Sequence, residues 1–252
     1  MNTLLLRKVF FVSIILLIQS ATVSATEITT ETIQYSADGA MGFLAKPVEG
    51  KNLPAMILIH EWWGLNDNIR ENARRFAKQG YVALAVDMYG GKVAQSRDQA
   101  KVLAGAVRKD KVAAFANLNA ALDYLRAQGG SVDTSRLASV GWCFGGGWSY
   151  QVAKNNLGVK SSVIYYGFFN PADDLSIMRT TILGHFGEKD RAIKVDNARE
   201  FQAKLKTMDG NHEVYIYPNA GHAFANDGGK NFDQEAADLA WERTLAFLDS
   251  TL

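Results

Sequence analysis

The stretch Ala138-Ser139-Val140-Gly141-Trp142-Cys143-Phe144-Gly145-Gly146-Gly147 constrains the fold of this chain more than any other. A short apolar run meets a glycine cluster through one cysteine, which reads as a strand turning sharply into a helix. So tight a corner demands glycine two positions before and two after the cysteine, because side chains at Gly141 and Gly145 would strike neighbouring backbone. The corner exposes the Cys143 sulfur at a helix N-terminus. There the helix dipole and free backbone N–H groups favour an anion and depress a thiol pKa of about 8.5.

Elsewhere, apolar runs of strand length alternate with helical patterns. Glu27 to Tyr35 and Gly42 to Ala45, around the turn-like Ser36-Ala37-Asp38-Gly39, predict an antiparallel hairpin at a sheet edge. Pro54 to His60 is a continuous apolar run, the pattern of a strand buried on both faces. Asn66 to Gln79 sets Ile69, Ala73, Phe76 and Ala77 on one side of a helix closed by Gly80. Tyr81 to Val86 is a second buried strand, and residues 96–128 predict two helices split near Lys109-Asp110. A strand over 136–140 leads into the corner, and the helix after it carries Trp148, Tyr150 and Val152. Ser161 to Tyr166, Thr181 to Phe186 and Glu213 to Tyr217 predict three more strands, with a helix from Ala192 to Leu205 and a closing helix from Ala236 to Leu248. This alternation is that of an α/β fold, a mostly parallel central sheet with helices on both faces.

With 252 residues and 48% hydrophobic content, one substantial core is expected, in a single domain over residues 26–252. Arg7 and Lys8, the apolar run Val9 to Ile18 and the small-residue site Val23-Ser24-Ala25 predict a cleaved signal peptide over residues 1–25. The run is about half the roughly 20 residues a bilayer span needs. The expectation is therefore a periplasmic or secreted protein with no stable membrane span after cleavage. Losing Arg7 and Lys8 takes the net charge of +1 down by two, so nothing calls for nucleic acid or an anionic membrane as partner. The single cysteine cannot form an internal disulfide, and a lone thiol in an oxidising compartment is a liability unless it has a task.

Loops at the carboxyl ends of parallel strands converge on one crevice. Cys143, Asp190 and His222 each follow a different predicted strand, in the order nucleophile, acid, histidine. His222 would take the thiol proton and later return it to the leaving group, while Asp190 would hold the imidazole tautomer. The bare spacing leaves Glu188 and Asp174 as rival acids; His60, His185 and His212 are rival histidines, though strand positions suit them to structural bonding. The N–H of Phe144 would form half of an oxyanion hole, and that of Trp62 the other half. Trp62, Trp63, Tyr89, Phe168 and Phe169 fall in loops at this edge and predict an aromatic pocket for a flat or unsaturated acyl compound, whereas Trp148, on a helix, reads as core. With no H-x-x-x-H or C-x-x-C spacing, neither a metal nor a cofactor is expected.

His60-Glu61-Trp62-Trp63-Gly64-Leu65-Asn66, Asp87-Met88-Tyr89, Gly141-Trp142-Cys143-Phe144-Gly145-Gly146, Tyr165-Tyr166-Gly167 and Gly221-His222-Ala223-Phe224 together resemble the dienelactone hydrolase family, α/β-hydrolases with a cysteine nucleophile. The resemblance implies an α/β-hydrolase fold, a Cys143–His222–Asp190 triad, and hydrolysis of small esters or lactones through a thioester. It also implies that Glu61 contacts the resting thiol and takes its proton when substrate binds. Relatives that act on muconate-type lactones hold the substrate carboxylate with one arginine after the Asp-x-Tyr strand end and another shortly after the histidine. This chain has Gly90-Gly91-Lys92 and Asn226 there, so Lys92 is the substitute and the dienelactone substrate does not follow. Competing functions are a thioesterase or general carboxylesterase, and a non-catalytic thiol redox sensor on a hydrolase scaffold.

Overall fold

The apolar runs assemble into one sheet. In the computed structural model, which describes residues 26–252, its strands are β1 (Ile28–Gln34), β2 (Met41–Pro47), β3 (Leu53–Ile59), β4 (Val82–Val86), β5 (Val132–Trp142), β6 (Ser161–Tyr165), β7 (Thr181–Gly187) and β8 (Glu213–Tyr217). The expected signal segment lies outside the described residues. The strand order is β1-β2-β4-β3-β5-β6-β7-β8. β1 and β2 form the expected edge hairpin and β2 pairs antiparallel with β4, while every later pairing is parallel.

Among the described residues six helices cover the sheet: α1 (Asp67–Lys78), α2 (Arg97–Lys109), α3 (Lys111–Ala127), α4 (Phe144–Lys154), α5 (Val195–Leu205) and α6 (Gln234–Thr251). Successive strand residues point to opposite faces, and β3 sorts accordingly. Met56 and Leu58 pack with Ile69, Ala73 and Phe76 of α1 and Ala240 and Phe247 of α6. Ala55, Ile57 and Ile59 pack with Leu118, Leu122 and Leu125 of α3 and Val152 of α4. The result is the mostly parallel α/β-hydrolase architecture with helices on both faces. Asp110 splits α2 from α3 as its position suggests, accepting the N–H of Ala113 at 3.0 Å.

Several boundaries differ from the sequence reading: α5 opens at Val195 rather than Ala192, α6 runs from Gln234 to Thr251, and β5 and β6 differ for reasons visible in the backbone. β5 starts at Val132, because Val132 pairs with Leu53 before a register shift. Asp133, Thr134 and Ser135 carry no apolar signal there. β6 stops at Tyr165, since Tyr166 has φ 38° and leaves extended geometry. No helix among the described residues is long and apolar enough to cross a membrane.

Two fully buried histidines pin the carboxyl ends of the strands. His60 donates from Nδ1 to the Glu61 carbonyl at 2.5 Å and accepts the Met88 N–H at Nε2 at 3.2 Å, tying β3 to β4. His185 bonds the Tyr217 hydroxyl at 2.8 Å and the Thr244 hydroxyl at 3.0 Å, tying β7 to β8 and α6. Burial disfavours their cations and lowers them to about 4 and about 3. The unfolded chain, titrating near 6.5, therefore binds protons that the folded chain refuses. The stability they contribute is complete above about pH 6.5 and is lost as pH falls toward 4. The urea midpoint of the wild type is expected to fall between about pH 7 and about pH 5 more steeply than that of His185→Gln. Equal slopes would show that His185 does not carry this dependence.

Candidate active site

The corner after β5 is as tight as its glycines suggest. Cys143 is the N-cap of α4 with φ 53° and ψ −111°, a left-handed backbone that costs a residue with a Cβ about 1–3 kcal/mol. Close packing holds it there. A Cβ on Gly141 would be driven into the Gly145 carbonyl, one on Gly145 into that of Ile59, and one on Gly146 to 2.7 Å from that of Tyr165. The Cys143 N–H donates to Tyr165 O at 2.9 Å, and its side chain makes no capping bond. The sulfur is thus left free above the helix N-terminus.

His222, in the loop after β8, places Nε2 3.1 Å from Cys143 Sγ. Its Nδ1 donates to Asp190 Oδ2 at 2.8 Å. Asp190 is buried in the turn after β7, and its Oδ1 accepts the N–H groups of Ala192 at 2.7 Å and Ile193 at 3.0 Å. Burial opposes a charge on His222, but the Asp190 carboxylate and the Cys143 sulfur outweigh it and push the imidazole up to about 10. The rival acids stand elsewhere: Glu188 is exposed beside Arg199, and Asp174 is exposed and accepts the N–H of Ser176. His212 accepts the Ile182 N–H at 3.0 Å, at the start of β7.

Glu61 is buried beside this trio. Its Oε2 accepts from Asn226 Nδ2 at 2.5 Å, while its Oε1 and the hydroxyl of fully buried Tyr166 have no hydrogen-bond partner. The two stand close enough for each to raise or lower the other's titration without meeting in hydrogen-bond geometry. Burial raises the Glu61 carboxyl by disfavouring its anion, and the Asn226 amide and nearby His222 only partly offset this. The contact with the thiol that the resemblance implies for Glu61 is not among its hydrogen bonds, and the sulfur faces His222 instead. Tyr166 and the bonded role of Asn226 escape a reading of the sequence. Tyr165-Tyr166-Gly167 marks a motif, but only the turn at Tyr166 directs its ring toward His222, with centroids 5.3 Å apart.

The family model described as "Dienelactone hydrolase family" matches residues 40–252. The chain belongs to the dienelactone hydrolase family. A Saccharolobus solfataricus protein described as "Putative carboxymethylenebutenolidase" is 32% identical, with 86% of this chain and 96% of the relative covered. An Escherichia coli K12 protein of the same description is 28% identical over 90% of this chain and 94% of its own length. The crystal structure of a Klebsiella pneumoniae "Putative Dienelactone Hydrolase" superposes with a TM-score of 0.76 at 25% identity, covering 88% of this chain and 99% of that one.

In this dienelactone hydrolase family member, the trio opens into a cleft of about 810 Å3. Trp62, Trp63 and Phe168 line it as expected, with Phe144 and Trp148 of α4. Trp148 does double duty, packing on Phe144 and, edge-on at 5.6 Å, on Phe115 of α3. The N–H groups of Phe144 and Trp62 have no acceptor among the described residues, as expected for a first helical residue and a turn. Three expected pocket residues lie elsewhere. Phe169 is 2% exposed and stacks on Phe201 at 4.3 Å, because the chain turns inward after Phe168. Tyr89 lies behind the wall, its hydroxyl donating to Trp62 O at 3.2 Å. Lys92 is exposed outside the cleft, since its loop binds by backbone, Ala94 N–H to Trp63 O at 2.8 Å.

Gly145→Ala is expected to destabilise the fold by about 3 kcal/mol or more in urea unfolding. Gly105→Ala, on an open helix face with no atom near its missing Cβ, is expected to stabilise by about 0.5–1 kcal/mol and serves as the control.

Proposed function

We propose that this protein hydrolyses small esters or lactones with Cys143 as nucleophile, through a thioester acyl-enzyme. The observation that carries the reading is the relay of His222 Nε2 at 3.1 Å from Sγ and Nδ1 at 2.8 Å from Asp190. A carboxylate bonded to two backbone N–H groups accepts only, so Nδ1 keeps its proton and Nε2 is left to exchange one with sulfur. The thiol proton passes to Nε2 as Sγ bonds to the substrate carbonyl carbon. The resulting oxyanion is received by the N–H groups of Phe144 and Trp62, both at the cleft. Collapse breaks the bond to the leaving oxygen, which takes the proton from Nε2 and leaves a thioester on Cys143. His222 then deprotonates water for attack on that thioester, and the acid departs as the thiol is restored.

The aromatic walls suit a flat or unsaturated acyl group. Support for a lactone comes from a Bradyrhizobium relative, 29% identical over 86% of this chain and 91% of its own, described as "Probable 2-oxo-3-(5-oxofuran-2-ylidene)propanoate lactonase".

Rapid mixing with p-nitrophenyl acetate is expected to release a burst of p-nitrophenol and to leave an acetyl adduct on Cys143 in the intact mass. Cys143→Ala should retain the fold and lose both signals; turnover retained in pure Cys143→Ala protein would refute the mechanism. Cys143→Ser should be slower by about a hundredfold or more, because an alcohol needs a far stronger base.

A further inference from the structure

A second recess, of about 370 Å3, opens on the α1–α6 face of the sheet and shares no lining residue with the catalytic cleft. Its size falls within the roughly 300–1,000 Å3 of small-molecule sites. The buried part of its lining is aromatic: Trp142, at the end of β5, stacks on Tyr165 of β6 with centroids 5.4 Å apart, and the half-buried Phe232 and Trp241 add to it. Two polar atoms on this lining have no partner. The Trp142 indole N–H makes no hydrogen bond among the described residues, although the residue is only 4% exposed. Asn72, 8% exposed, donates to Asn68 at 3.1 Å to the carbonyl and 3.5 Å to Oδ1, while its own Oδ1 accepts nothing among the described residues. The unpartnered polar atoms that are fully enclosed are Glu61 Oε1 and the Tyr166 hydroxyl; the Trp142 N–H and Asn72 Oδ1 are not among them, so the recess is where both emerge. One donor and one acceptor in the same recess suit a hydroxyl, which accepts and donates at once.

The charged side chains on this lining are Glu71, Asp227, Asp238 and Arg75. Glu71 pairs with Arg74 at 3.2 Å, and Arg75 lies over the Trp241 ring with its guanidinium 4.0 Å from the centroid. Asp227 and Asp238 have no ion-pair partner among the described residues. Each accepts from a neutral amide instead, Asn68 at 3.1 Å and Gln234 at 2.8 Å. Two uncompensated carboxylates beside aromatic surface favour a cation. The catalytic cleft has the opposite balance, with Arg97, Arg108, Lys111 and Lys230 against the buried Glu61, so charge directs a cation to the second recess. We propose that this recess is a second binding site, for a small aromatic ammonium compound carrying a hydroxyl. The ammonium group lies at Asp227 and Asp238, the ring against Phe232 and Trp241, and the hydroxyl between the Trp142 N–H and Asn72 Oδ1. The site stands independently of the hydrolase reading, since no residue of the catalytic trio lines it.

Tyramine carries the ammonium, the ring and the hydroxyl; 4-ethylphenol lacks the cation, and phenethylamine lacks the hydroxyl. In titration calorimetry on the wild type, tyramine is expected to bind one to one and about threefold or more tightly than either comparator. Asp227→Asn combined with Asp238→Asn, both at exposed positions, should erase the advantage over 4-ethylphenol. Trp142→Phe, which keeps a ring and removes the N–H, should erase the advantage over phenethylamine. Ala237→Trp fills the recess from α6 and should abolish tyramine binding while leaving the thermal midpoint within about 2 °C of the wild type. No saturable heat with tyramine, or equal binding of all three compounds, would overturn the inference. So would tyramine binding that survives Ala237→Trp, because the ligand would then lie elsewhere. If Trp142→Phe does not fold, Ala237→Trp and the paired aspartate variant still decide the matter.

Discussion

The close approach of α4 to the end of β3 is the contact on which the rest of this molecule depends. Gly145 lies against the carbonyl of Ile59, Gly141 against that of Gly145, and Gly146 against that of Tyr165. With no Cβ between these backbones, α4 can start directly above the sheet, and Cys143 is forced to φ 53°. The strain is local and about 1–3 kcal/mol, small beside the burial of the strands that enforce it. The same geometry aims the sulfur outward and leaves the Phe144 N–H beside it without a partner, so strain and chemistry have one cause.

Around that corner, charge is distributed unevenly. His60 and His185 are kept neutral by burial and serve as struts, each bonded at both ring nitrogens. His222 differs because a carboxylate and a sulfur face its two nitrogens, which more than repays its burial. Three buried or half-buried imidazoles at one sheet edge thus have opposite tendencies, decided by what lies across each hydrogen bond. Glu61 is the converse case: a buried carboxyl with an amide on one oxygen and nothing on the other. It is the least satisfied charge in the site, next to an equally unsatisfied Tyr166 hydroxyl.

Much of this was legible in the residues. The apolar runs of β3, β4, β6 and β7 are buried on both faces, and their alternation with helices specified the parallel sheet. Gly141 and Gly145 announced a corner because no other residue type tolerates the approach. The polar start of β5 was hidden, since of that stretch only Val132 is buried and pairs with β3, and Asp133, Thr134 and Ser135 carry no apolar signal. Phe168 and Phe169 are adjacent and chemically identical, yet one is exposed on the cleft and the other stacked on Phe201. No pattern along the chain separates them, because the turn between them decides which way each ring points.

The sequence by itself determined the order of strands and helices, the place of the sulfur, and the family, because these follow from local patterning and from residue types that only certain backbones accept. Tertiary structure alone brought Asp190 Oδ2 to 2.8 Å from His222 while leaving Glu188 exposed, and turned Asn226 toward Glu61. Those residues lie far apart in the chain from the groups they face. Their meeting is set by how helices pack across the sheet, which no local spacing encodes.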